Sequence, residues 1–292
     1  MTAKEMYEEM AARYIKKTGN IDPLRKIYEK YVTNFDAMVE KISKMDFANE
    51  ILAPPLITAI SADDKKLLKK ILIKTLPIDS INAHSIKVND SEYLVVLNER
   101  LLSLIYTYQE IQFVSAQKYL KGERDCKFSK YYSPLIDCYL TPNSNKTLPV
   151  FDLSYLSMQL RLMIGYNSIA KEQFVLAHEL AHIFLNHFDE ADKKTFKEKE
   201  FEADIQALRW MANIVEHREI PIELSTCVEI FMLFHLIECN LGFPDKDATH
   251  PASIERLTNI YQNCGDVLSN EDKEFIGSMI MNACDIDSFI IE

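Results

Sequence analysis

The run Ala177-His178-Glu179-Leu180-Ala181-His182 sets two imidazoles and a carboxylate in a helix-forming stretch without Gly or Pro. On an α-helix, residues four apart lie about 40° apart around the axis, so His178 and His182 point the same way and can share one metal ion. Glu179 sits one step round, where its carboxylate can hold an attacking water without being a ligand. This is the pattern of a zinc hydrolase with Glu179 as general base. The plain alternative is two histidines packed in a core, and the pattern alone does not separate the two. A third ligand would, because catalytic zinc takes three protein groups and keeps one position open.

Two sources of that ligand are separable by spacing. The all-histidine form, HExxHxxGxxH, requires Gly at 185 and His at 188, where the chain has Leu185 and Phe188, so it is excluded. His187 is one residue out of place and, at about 140° from His182 on a continuing helix, is expected to point away, as a supporting or surface residue. The other source is a carboxylate on the next helix, in Lys199-Glu200-Phe201-Glu202-Ala203-Asp204. Helical phase puts Phe201, Ile205, Ala207, Leu208, Met211, Ala212 and Val215 on the buried stripe, with Glu200 at its edge and Asp204 near its middle. Glu198 and Glu202 lie further from its centre. An aspartate inside an apolar stripe needs a partner, and the second ring nitrogen of a ligating histidine provides one, so Asp204 is expected to orient His178 or His182. The alternative is that Glu200 and Asp204 belong to a solvated acidic run.

A third block, Thr249-His250-Pro251-Ala252-Ser253-Ile254-Glu255-Arg256-Leu257, starts a helix at Pro251 and sets His250 at its mouth. His250 or Arg256 is in a position to stabilise the oxyanion formed when water attacks a peptide carbonyl. Helix capping by the first and a structural ion pair by the second are the competing roles.

Taken in order, HELAHIFLNH (178–187), EFEAD (200–204) and THPASIERL (249–257) resemble the Lit-type phage-exclusion peptidases, whose core is related to the membrane zinc proteases that process prenylated proteins. The resemblance spans roughly residues 90–265. It implies a gluzincin core with Zn2+ on His178, His182 and Glu200. It also implies cleavage of a cytosolic host protein, elongation factor Tu in the best-known member, by an activity latent until phage infection supplies an activator. The chain departs from the prenyl-protein proteases in lacking their membrane spans, and its first 80 or so residues resemble nothing in the family.

The elements that must position these groups are mostly helical. Apolar residues recur every three to four positions from Met1 to about Lys44 (Tyr7, Met10, Ala11, Tyr14, then Tyr28, Tyr31, Val32, Phe35, Met38), which predicts two amphipathic helices broken near Gly19 and Pro23. A further helix is expected over 63–74, its lysines Lys65, Lys66, Lys69, Lys70 and Lys74 forming a solvated face. Ile86 and Val88, then Tyr93 to Leu97, predict a short strand pair, and the second strand is the expected docking edge for an extended substrate. Asn98 is placed to cap a helix from Glu99 to about Leu120. The stretch from Gly122 to Pro149 is loop-like. Helices follow near 152–163, 169–190, 194–216, 221–241, 251–263 and 270–282. The fold class is thus α+β and helix-dominated: a zincin-like metallopeptidase domain over 78–292 with a small sheet, preceded by a helical extension over 1–77.

A formal charge of -11 disfavours nucleic acid and anionic membranes, which reward basic partners, and leaves a protein substrate as the expected partner. The start has neither the basic flank nor the apolar run of an export signal, and no stretch reaches the length of a membrane span, so a cytoplasmic location is expected. The cysteines Cys126, Cys138, Cys227, Cys239, Cys264 and Cys284 lack a CxxC pair and are expected to be reduced. Two further functions fit the motifs: a mobile-element metalloprotease that cleaves a repressor or antitoxin, and a non-catalytic binding protein stabilised by zinc.

Overall fold

The computed structural model describes residues 1–18, 46–60, 64–77, 80–122, 132, 134–137, 156–189, 191–216, 222–241 and 250–290. The expected helix around Tyr28 to Met38 and most of the stretch from Gly122 to Pro149 lie outside these residues. In chain order the elements are α1 (Ala3–Thr18), a π-helical turn (Ala48–Leu52) running into α2 (Ala53–Ala59), α3 (Lys65–Leu68), β1 (Ile71–Leu76), β2 (Ala83–Lys87), β3 (Tyr93–Asn98) and α4 (Glu99–Leu120). After them come α5 (Met158–Phe184), α6 (Phe196–Glu216), α7 (Leu224–Val228), α8 (Ile230–Leu241), α9 (Ser253–Asn263) and α10 (Asn270–Ile290). The protein is α+β and dominated by helices, with one three-stranded sheet.

The sheet order is β1-β3-β2, with β1 parallel and β2 antiparallel to β3. Successive side chains of β3 face opposite ways. Tyr93, Val95 and Leu97 enter the main helical core, while Leu94 and Val96 join Leu76 and Ala3 beneath α1. Being central and covered on both faces, β3 is buried along its whole length, which is why its sequence is a continuous apolar run. It therefore offers no free edge to a substrate, contrary to the expectation from sequence. Among the described residues the outer strands are β1, whose Thr75 amide donates to Asp46 and whose Thr75 carbonyl accepts from Tyr7, and β2, which packs along α5.

Several elements differ from the sequence expectation for physical reasons. The helix predicted over 63–74 stops at Leu68, and Ile71, Ile73 and Thr75 pair with β3 instead, β-branched residues claimed by the sheet. Lys65, Lys66, Lys69 and Lys70 are exposed as expected, whereas Lys74 pairs with Asp46 at 2.7 Å. The two segments expected near 152–163 and 169–190 are one helix, α5, that runs through Gly165. The segment near 221–241 divides at Glu229 into α7 and α8. Asn98 occupies the N-cap position of α4 but makes no capping bond, and its buried Oδ1 has no hydrogen-bond partner among the described residues. Pro251 precedes α9, which begins at Ser253 and is capped by Glu238, whose Oε1 accepts the Ser253 amide at 3.1 Å.

The helix α5 carries unusual polar burial. Lys171, wholly buried, donates to Gln109 of α4 and pairs with Glu229 at 2.8 Å, which ties α5 to its neighbours. Beside it, burial pushes Glu172 up to about 8, only partly opposed by Lys171, and its Oε2 has no hydrogen-bond partner among the described residues. Glu110 is raised to about 7 by burial. The folded chain keeps these protons where the unfolded chain, near 4.5, loses them. Their contribution to stability is then complete below about 4.5 and declines as pH rises to about 8. Glu172→Gln should melt like wild type at pH 5 but be more stable at pH 8, by an amount on the order of 3 kcal/mol. Equal melting temperatures at pH 8 would contradict a buried, protonated Glu172.

Candidate active site

The site lies where α5 crosses α6, with α9 packed over α6. One face of α6 supplies Glu200 and Asp204, buried at 3% and 0% exposure, in line with Ala203, Ala207, Leu208 and Met211. The buried stripe is rotated from its expected position, since Glu200 lies within it while Phe201 and Ile205 are only partly buried. Burial of this depth removes the solvated acidic alternative for these two carboxylates.

Among the described residues, His178, His182 and Glu200 form a group able to hold a metal ion, their donor atoms all within 4.8 Å of one another. The Nε2 atoms of His178 and His182 are 3.1 Å apart, Glu200 Oε2 is 3.4 Å from His178 Nε2, and Glu200 Oε1 is 3.2 Å from His182 Nε2. These spacings are close to the roughly 3.3 Å that separates ligands about 2.0–2.1 Å from a tetrahedral zinc, with Glu200 meeting the two imidazoles through different oxygens, Oε2 and Oε1. Imidazole and carboxylate donors also suit that ion.

The far side of His178 is tied to α6 and α9. Asp204 Oδ1 is 2.9 Å from His178 Nδ1, which makes Nδ1 the donor to that carboxylate and Nε2 the nitrogen turned toward Glu200. Of the two histidines open from sequence, Asp204 thus takes His178. Arg256 holds Asp204 with two bonds, Nε to Oδ2 at 2.8 Å and Nη2 to Oδ1 at 2.6 Å, and its guanidinium lies 4.8 Å from the centre of the Phe231 ring. Its Nη1 is 3.6 Å from Glu200 Oε2. The ion pair foreseen as one role for Arg256 is present. His250, largely exposed, sets Nδ1 2.9 Å from Glu200 Oε2.

Charge in this pocket is unbalanced toward the negative. Burial and Arg256 push the His178 imidazole toward its neutral form, but Asp204 and Glu200 outweigh them and lift it to about 9. Burial opposes ionisation of Glu200, yet its bonds with His178, His182 and His250 hold it far below the usual carboxylate range. Asp204 is likewise held down, against its burial, by Arg256 and His178. Glu179 is a third buried carboxylate, 8% exposed, whose charge acts on Arg256 and on His84 of β2. Three carboxylates against the one permanent cation, Arg256, are the excess that favours a charged His178, and the same excess favours a metal cation there.

His187 differs from its expected orientation. The helix α5 ends at Phe184 and Asn186 takes a left-handed φ of 57°, which turns the chain back so that the His187 ring meets the His182 ring. Asn just past a helix end is a recognised signal for such a turn, and would have located His187 from sequence. No sequence signal marked His84.

The comparisons bear on what this geometry does. The family model Peptidase U49 matches residues 109–277, which takes in α5, α6, α9 and every residue of the cluster. The chain belongs to the Peptidase U49 family. No curated protein and no solved structure matches it. As a Peptidase U49 member it is a peptidase, and the matched span begins within α4, after the whole of the sheet. No described helix of this peptidase is long and apolar enough to cross a membrane.

Proposed function

We propose that this U49 peptidase is a zinc-dependent endopeptidase of the gluzincin type, with zinc held by His178, His182 and Glu200. The observation that carries the reading is the convergence of His178, His182 and Glu200, whose nitrogens and two carboxylate oxygens approach to 3.1–3.4 Å, with a buried Glu179 next to His178 in the chain. Bound there, zinc would supply Lewis-acid polarisation of the scissile carbonyl and acidify a water molecule. The chain's own residues do the rest. Glu179 accepts the proton of the attacking water and passes it to the leaving amine. Asp204, itself held by Arg256, fixes the ring of His178. His250, the exposed donor at the rim, is placed to hydrogen-bond the developing oxyanion, and Arg256 acts mainly through Asp204 and by its approach to Glu200.

An extended substrate segment would align along β2, an outer strand among the described residues, which packs on α5 and whose His84 senses the charge of Glu179. The resemblance to the Lit-type peptidases extends the reading to a cytosolic host translation factor such as elongation factor Tu, cleaved during phage exclusion once an activator appears. The direct test begins with metal removal. Chelation should abolish peptidase activity and leave most of the fold, with one equivalent of zinc restoring the activity. Unfolding on chelation would instead point to a structural metal. Comparing new protein termini in phage-infected cells that carry wild type or Glu179→Gln then identifies the target. Identical termini in both would remove the endopeptidase reading.

A further inference from the structure

The two nitrogens of His182 face different surroundings. Nε2 points at His178 and Glu200, while Nδ1 lies 2.9 Å from Nδ1 of His187. Two such nitrogens bond only when one carries a proton and the other does not. The other ring nitrogen of His187, Nε2, is 3.2 Å from Glu202 Oε2, which also takes Lys194 Nζ at 2.6 Å. An ionised carboxylate only accepts, so His187 Nε2 carries the hydrogen and, in the neutral ring, Nδ1 is the acceptor. His182 must then donate from Nδ1, and its Nε2 is left as a lone pair aimed into the cluster. Every bond from Lys194 through Glu202 and His187 to His182 runs in one consistent sense.

We propose that His187 is the positioning residue for His182: backed by Glu202 and Lys194, it sets the tautomer and ring orientation that turn His182 Nε2 toward the metal position. The inference rests on the zinc reading of the site. His178 has a buried carboxylate, Asp204, in the equivalent place, whereas His182 has a neutral ring relaying a half-exposed one. The turn at Asn186 and Lys199, which donates to the His187 backbone carbonyl at 2.8 Å, hold the relay in place. The connection between α5 and α6 is thereby part of the site.

The test is zinc affinity by competition with a chromophoric chelator, together with the visible spectrum of the cobalt-substituted protein. His187→Leu, which removes the acceptor, should weaken zinc about 10- to 100-fold and shift the cobalt spectrum. His187→Gln keeps one acceptor and one donor and should recover most of both. Wild-type affinity and spectrum in His187→Leu would overturn the proposal, as would equal losses in the Leu and Gln variants, which indicate packing alone. Should His187→Leu fail to fold, Glu202→Ala at its half-exposed position interrupts the same relay and is expected to weaken zinc about tenfold. An unchanged affinity there also overturns it. Failure of the underlying reading looks different: wild type would bind no zinc, or Glu200→Ala would bind it as well as wild type.

Discussion

Glu179→Gln should lower peptide cleavage by about 10²- to 10⁴-fold, the range removed with a general base. Zinc content and melting temperature should stay at wild-type values. Gln matches Glu in shape, so the 8%-exposed position stays filled, and Glu179 stands outside the three-donor cluster, so no ligand is lost. What disappears is a proton acceptor one residue from His178. KM for a peptide substrate should change little, because the carboxylate acts on the attacking water and not on the bound chain. A variant that keeps more than a tenth of wild-type kcat with zinc in place removes Glu179 from this role.

Asp204→Ala should cost about 3–5 kcal/mol of stability, because it leaves the Arg256 guanidinium buried without its partner. It also frees His178 Nδ1, so zinc should bind about 10- to 100-fold more weakly. Replacing both partners, Asp204→Leu with Arg256→Leu, should restore much of the stability but none of the metal affinity, since a buried pair of opposite charges is replaced by packed hydrocarbon while the ring stays unsupported. Chemical denaturation and chelator competition on wild type and these two variants separate the two effects. Should the double variant be as unstable as the single one, the ion pair is not the source of the loss.

The helices and the pair β2–β3 were legible because their signals are local. Glu99 to Leu120 forms the helix that its periodicity indicates, and the apolar run of β3 is the strand it was expected to be, although its burial on both faces was not foreseen. The three blocks that make up the cluster were legible because HExxH and the phase of α6 each constrain a single helix. What escaped was set by partners distant in sequence. Ile71–Leu76 is a strand only because β3 lies beside it, and sheet order, which decides the free edge, is written in no one segment. His187 escaped because its orientation was judged on a continuing helix, whereas α5 ends before it and Asn186 reverses the chain. That Asp204 serves His178 while His187 meets His182 depends on how α5 and α6 cross, which helical phase does not specify.

The shortness of β2, an outer strand among the described residues, has a consequence for which proteins can be cut. Five residues span about 17 Å and can zip against only a similar length of backbone whose own amides and carbonyls are unpaired. Natively ordered helices and sheets have no such length to spare. With β2 as the docking border, the segment it takes must come from a surface loop or an opened stretch of the target. Selectivity would then lie as much in when the victim exposes that segment as in which amino acids it contains.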